Sequence, residues 1–376
     1  MESFRLGTTA IADHSFNKDH TFVAVARENN VTLLQRANGK IRPVPGKAGT
    51  LRFHDKTVTG VDISCDGRIV TCSQDRNATV WELQQDGTWK PFLVVLRINR
   101  AATTVRWSPD GTKFAVGSGA RIIAVCYFEA ENDWWISKHI KKPIRSTITS
   151  VAWHPNNVLL AAGSTDGHAR VFSGYIKGVD AKPEPTAWGE RLPFQHLCGE
   201  FANKTYAWVH DVAFSPSGNS LAYVSHDSSI TVVYPSAPDA PPKAVINLDT
   251  SFQPFRSLVW TTEDQIVAGG YDCYPIVFGG SESGWKQTGA IDDPKKNKKN
   301  SGPASQFDED GMPTGSALNM FRAMDLKGTT QQPNDDDLLT IHQSPIVTLR
   351  PLDSEGGRVT TISSTGGDGQ LVIYRV

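Results

Sequence analysis

The chain repeats one short pattern along its length, and this constrains its fold more than any other feature. An alternating apolar run leads into a Pro/Gly turn, a second apolar run follows, then a tight polar turn and a third run. Val58-Thr59-Gly60-Val61-Asp62-Ile63, Asp66-Gly67, Arg68-Ile69-Val70-Thr71-Cys72 and Ala78-Thr79-Val80-Trp81 make one copy. Ser150-Val151-Ala152-Trp153, His154-Pro155, Leu159-Leu160-Ala161-Ala162 and Ala169-Arg170-Val171-Phe172 make another. Seven copies can be aligned on the tight-turn residues Asn29, Asp75, Gly119, Asp166, Asp227, Asp272 and Asp368, spaced about 45 residues apart where no insertion intervenes. An aromatic follows the turn Asp by six positions in four copies, as Trp81, Phe172, Phe278 and Tyr374. A small sheet with two apolar faces buries both only by stacking on its neighbours, and seven such sheets close a ring. The pattern predicts an all-β chain, a single seven-bladed β-propeller over residues 1–376.

Composition agrees and narrows the function classes. Of 376 residues, 39% are hydrophobic, enough for a core in a chain of this length, and 32 Gly and 22 Pro suit many strands joined by turns. Lys+Arg number 38 against 39 Asp+Glu, so the chain as a whole is not a basic nucleic-acid binder. No stretch reaches the 18 apolar residues that suggest a membrane span, and the polar start reads as no secretory signal, so a cytoplasmic protein without membrane insertion is expected. The five cysteines are odd in number and form no C-x-x-C pair, which argues against a disulfide or metal framework. No cofactor is expected.

His54, Ser73, Asp75 and Trp81 sit where a His could link the turn Asp to a hydroxyl and an indole, as a structural hydrogen-bonded tetrad. Ser, His and Asp together also suggest a hydrolase triad. A triad is needed once, whereas the turn Asp recurs in five copies, so the structural reading is preferred. Gly117-Ser118-Gly119 lacks the rest of a phosphate-binding loop, and H-E-x-x-H is absent. No catalytic residue is assigned, and the chain is not expected to be an enzyme.

The repeats resemble WD repeats, and the runs between them are more specific. Leu96-Arg97-Ile98-Asn99-Arg100-Ala101-Ala102-Thr103, Glu131-Asn132-Asp133-Trp134-Trp135 and His154-Pro155-Asn156-Asn157-Val158-Leu159-Leu160 resemble the family of subunit 1 of the actin-related protein 2/3 complex. The resemblance spans the whole chain. It implies a non-catalytic structural subunit of an actin-nucleating assembly in the actin cytoskeleton, at cortical actin patches. The implied partners are the other subunits with their actin-related proteins, the actin filament, and nucleation-promoting factors with acidic tails. An adaptor propeller in another assembly, reading acidic or phosphorylated peptides, stays open as the alternative.

A propeller without chemistry works through its loops and faces. Arg97, Arg100, Lys138, Lys141, Lys142 and Arg145 enter adjacent blades at equivalent points, either as a solvated rim or as one basic patch for an acidic partner. Residues 175–203 read as a linker between blades 4 and 5. Its Trp188, Leu192, Phe194 and Phe201 either pack back on the propeller, the preferred reading, or bury against another subunit. Residues 281–340 read as a mobile insert between blades 6 and 7, rich in Lys and Asp. Within it, a short amphipathic helix is predicted at about 316–327, capped by Ser316 and Gly328. Its stripe of Ala317, Met320, Phe321 and Met324, with Leu318 beside it, needs a surface to bury against. The resemblance implies actin and activator contacts there. The segment Phe4–Ala12 is expected to close the ring against the last copy, whose third strand ends the sequence.

Overall fold

The computed structural model describes residues 1–190, 192–237, 240–294 and 338–376. The helix expected at 316–327, with Ala317, Leu318, Met320, Phe321 and Met324, lies outside the described residues. Among those residues the strands form seven antiparallel sheets arranged as the blades of a propeller. Blade 2 is typical, running inner to outer through Val58–Ile63, Ile69–Ser73, Ala78–Leu83 and Trp89–Val94. The second strand of a blade is covered on both faces by neighbouring blades. Ile69–Ser73, Lys113–Ser118, Leu159–Ser164 and Leu221–Ser225 are buried at every position, which explains their mostly apolar and small residues, with Lys113 the charged exception. Inner strands are also tied to the next blade. The Thr59 hydroxyl donates to the Ala102 carbonyl (2.9 Å), that of Thr103 to Ile148 (2.7 Å), and that of Thr149 to Val209.

The outermost strands correct two expected boundaries. Leu197–Ala202, inside the predicted linker, is the fourth strand of blade 4. Gly284–Ala290, inside the predicted insert, is the fourth strand of blade 6. A fourth strand packs on one side only, so its residues are mostly half-buried or exposed and its apolar pattern is weak. The rest of the linker folds back: Trp188 and Leu192 are buried, and the Trp188 indole donates to the Gly218 carbonyl (2.8 Å). The linker is also pinned from below, where buried Lys113 of blade 3 pairs with Asp180 and donates to the Gly174 carbonyl.

The ring closes through the N-terminus, but earlier than expected. Glu2–Arg5 pairs with Gln370–Arg375 as the outer strand of blade 7, with Glu2 opposite Ile373 and Arg5 opposite Gln370. After Arg5 the chain must cross from the outer edge of blade 7 to the channel, where Asp13–Phe16 begins blade 1. Residues up to Ala12 therefore bridge two blades, with the Ile11 side chain buried between them.

Candidate functional site

Three sets of polar groups stand out on this frame. The first is the tight turn of each blade. In blade 2, His54 Nδ1 lies 2.8 Å from Asp75 Oδ2, and its Nε2 lies 2.8 Å from the Thr71 hydroxyl, to which the Trp81 indole donates (3.2 Å). The hydroxyl in this chain is Thr71, not Ser73. Ser73 instead donates to the Lys56 carbonyl (2.9 Å) and accepts from the Asp75 amide. The reason is register: Thr71 and Ser73 share a face, but Trp81 pairs opposite Ile69, so Thr71 is its diagonal neighbour and Ser73 lies two residues beyond. Blade 7 repeats the arrangement with Asp368, His342 and Ser364. A hydroxyl residue four before the turn Asp is the sequence signal that would have found both. In blade 5, Asn203 replaces the His and donates to Asp227 (2.9 Å). Among the described residues blade 6 has no such partner, and Asp272 accepts from the Gln253 amide alone. Electrostatics follow these partners. Burial pushes the Asp368 carboxyl up, but the His342 contact and backbone donors outweigh it and hold the pKa below its usual value. Burial raises that of Asp272. His54 and Thr71 are buried, so the triad-like group has no access for a substrate.

The second set lines the central channel. Arg350 of blade 7 donates to Asp13 of blade 1 (3.1 Å) and Asp62 of blade 2 (2.8 Å), and Arg106 of blade 3 donates to Asp13 (2.8 Å). Burial pushes the Asp13 carboxyl up, and Arg106 and Arg350 together outweigh it, so its pKa falls below the ordinary value. Beside it His14 is fully buried, bonded to Ser363, Thr348 and Thr365, and burial and Arg350 push its pKa down to about 3. These charges are matched and structural.

The third set is different. On the face that carries the tight turns, a cleft of about 1020 Å³ spans blades 2 to 4, lined by Lys56, Arg76, Arg100, Arg121 and Arg145. Among the described residues no carboxylate lines it. All five cations are exposed, and none of their side chains makes an ion pair or hydrogen bond among the described residues. The folded turns align one residue later than Gly119: the position that bears Asp in blades 2 and 4 is Ala120 in blade 3, between Gly119 and Arg121 of the cleft. The flanking acids are already engaged, Asp75 by His54 and Asp166 by Arg170 (2.9 Å). Arg76 and Arg121 are held at φ 75° and 61°, where blades 4 and 7 place Gly167 and Gly369. A side chain there costs roughly 1 kcal/mol, so arginine at these turns is not what the backbone alone prefers.

Of the six residues predicted for a basic patch, only Arg100 and Arg145 line this cleft. Arg97 is turned to the Ser137 carbonyl, and Lys138 lies over the Tyr127 ring (5.5 Å) and the Phe194 ring (6.0 Å). Lys141 and Lys142 are exposed but outside the cleft. Lys56, Arg76 and Arg121 were missed because each is a single charge in a different part of its repeat. Aligning the copies turn on turn would have brought Arg76 and Arg121 together, and Lys56 with Arg100 just before the inner strands.

Comparison with known proteins fits this architecture. A family described as "WD domain, G-beta repeat" matches residues 46–82 and 137–173. Over its whole length the chain is similar to actin-related protein 2/3 complex subunit 1 of Schizosaccharomyces pombe, at 51% identity with 96% of each chain covered. The Saccharomyces cerevisiae subunit 1 is 46% identical over 99% of this chain and 96% of its own. Subunit 1A-A of Xenopus laevis is 45% identical over 97% and 93%. With a seven-bladed ring, WD-type turns and identities of this size across nearly every residue, the chain belongs to the family of subunit 1 of the actin-related protein 2/3 complex.

Proposed function

We propose that this chain is a non-catalytic structural subunit of the actin-related protein 2/3 complex, working in the cytoplasm at cortical actin. Full-length similarity to proteins of that name carries the assignment. The rigid ring would hold neighbouring subunits so that two actin-related proteins are prearranged as a filament nucleus, lowering the entropic cost of assembling one. The open cleft of Lys56, Arg76, Arg100, Arg121 and Arg145 suits the acidic tail of a nucleation-promoting factor. Its charges are exposed and uncompensated among the described residues, so little has to be broken before a carboxylate-rich segment binds. The apolar residues Met320, Phe321 and Met324 are read as a separate contact with the actin filament.

Purifying the native complex through this chain tests the assignment, and recovery of an assembly without actin-related proteins would reject it. Reversing Arg100 and Arg121 to Glu tests the cleft. Affinity for an acidic activator tail should fall at least about tenfold, since each lost charge-assisted bond is worth about 1.5 kcal/mol or more. Filament branching with purified actin should fall with it. Replacing Met320, Phe321 and Met324 by Ser should lower branching while tail affinity is kept.

A further inference from the structure

We propose that the same cleft takes a compact, multiply phosphorylated anion of the inositol polyphosphate class, and that this ligand and an acidic peptide exclude one another. The exclusion rests on the acidic-tail reading above, whereas the binding does not. Four of the five cations are arginines, whose planar forks bind phosphate oxygens in pairs, and Lys56 adds a point charge. They do not follow one strand. They reach the cleft from two tight turns and from three segments connecting consecutive blades, so they surround a volume. Asn99, Gln74 and Thr147 add neutral polar groups to the same wall. An extended peptide would spread its carboxylates along a line, while a phosphorylated ring carries its charges around a centre, as the five side chains are arranged.

The carboxylates complete the argument. The turn position that bears Asp in blades 2, 4, 5, 6 and 7 is Ala120 in blade 3, so the turn at the middle of the cleft brings no carboxylate beside the arginines. Gly119 is not held at a left-handed φ, and a Cβ built on it would meet nothing closer than 3.5 Å. Neither backbone conformation nor space therefore requires glycine. An acid introduced at position 119, which lines the cleft, would therefore add negative charge among the arginines without a steric or backbone penalty.

Calorimetric titration of the full chain with inositol hexakisphosphate is the direct test. The ligand should bind, more weakly as salt rises. Arg100→Ala combined with Arg121→Ala should weaken it at least about tenfold, from two lost charge-assisted contacts. Gly119→Asp should weaken it in the same direction with an unchanged melting temperature, while Lys286→Ala on blade 6 should change nothing. Sedimentation with vesicles containing phosphatidylinositol 4,5-bisphosphate, against phosphatidylserine vesicles of equal charge, separates the two sources. Binding to the first vesicles alone, lost in Gly119→Asp, points to a lipid headgroup, and binding only of the soluble compound points to a free one. Absence of both, or binding that the cleft variants leave unchanged, overturns the proposal. So does an acidic tail that binds at the cleft and is not displaced by the bound hexakisphosphate, a result that leaves the acidic-tail reading standing. Failure of the tail to bind, with the hexakisphosphate still lost in both cleft variants, rejects the tail reading and the exclusion but keeps the polyphosphate site.

Discussion

In the central channel Arg106 and Arg350 are matched by Asp13 and Asp62, whereas on the turn-bearing face Arg76, Arg100, Arg121 and Arg145 face one another with no acid between them among the described residues. The channel pairs are buried or half-buried and join blades 1, 2, 3 and 7, so removing one partner strands a charge in a place water cannot fully serve. The cleft charges are solvated and repel each other, so removing one costs the fold almost nothing. The same residue type thus maintains the ring in one region and leaves binding capacity unspent in the other.

The largest effect should come from breaking the channel side. Arg350→Ala leaves Asp13 and Asp62 short of a partner, and a loss of about 3–5 kcal/mol is expected in denaturant unfolding. A loss below 1 kcal/mol would mean that the channel charges are as well solvated as those of the cleft. Next comes pH. His14 is held neutral down to about pH 3, whereas an unfolded imidazole takes its proton near 6.5, so the unfolded chain binds more protons between those values. Stability should therefore fall as pH drops from 6.5 towards 3. His14→Asn should remove up to about 1.4 kcal/mol per pH unit of that slope. Asp13 adds a second loss below about pH 3.8, the ordinary carboxyl value, as its depressed pKa is crossed. Equal slopes for the variant and the parent would show that His14 is not shielded.

Smaller effects belong to the turns. Asp75→Ala removes the acceptor of His54 and should cost about 1–3 kcal/mol. Asp272→Ala, where the carboxyl has one backbone donor and a raised pKa, should cost less. A reversed order in thermal melts would contradict the partner assignments in blades 2 and 6. The smallest change is expected in the cleft. Arg121→Gln should alter stability by no more than about 0.5 kcal/mol, as for surface residues without partners. A large loss would show that the cleft cations support the fold after all.

The repeats were legible because blade interiors obey a local rule. Inner, second and third strands alternate or run apolar, and the turn residues recur at a fixed spacing, so copy number and fold class follow from the sequence alone. The fourth strands were not legible. Leu197–Ala202 and Gly284–Ala290 were absorbed into a linker and an insert, since a half-exposed strand has no strong pattern and is defined by the edge it pairs with. Closure was foreseen in kind but misplaced, because how soon the chain leaves blade 7 depends on the distance it must cross to blade 1.

Side-chain partners were settled only in three dimensions. The sequence marked the turn Asp, His54 and Trp81, and tertiary geometry chose Thr71 over Ser73 as the hydroxyl between them. It also dispersed the predicted basic patch, engaging Arg97 and Lys138 within the propeller and drawing Lys56, Arg76 and Arg121 to Arg100 and Arg145. The periodic part of the sequence determined the ring, because burial of apolar faces depends on local alternation. The charged surface was decided by the folded ring, because closure brings residues from blades about 45 positions apart into one cleft, and no local pattern encodes that distance.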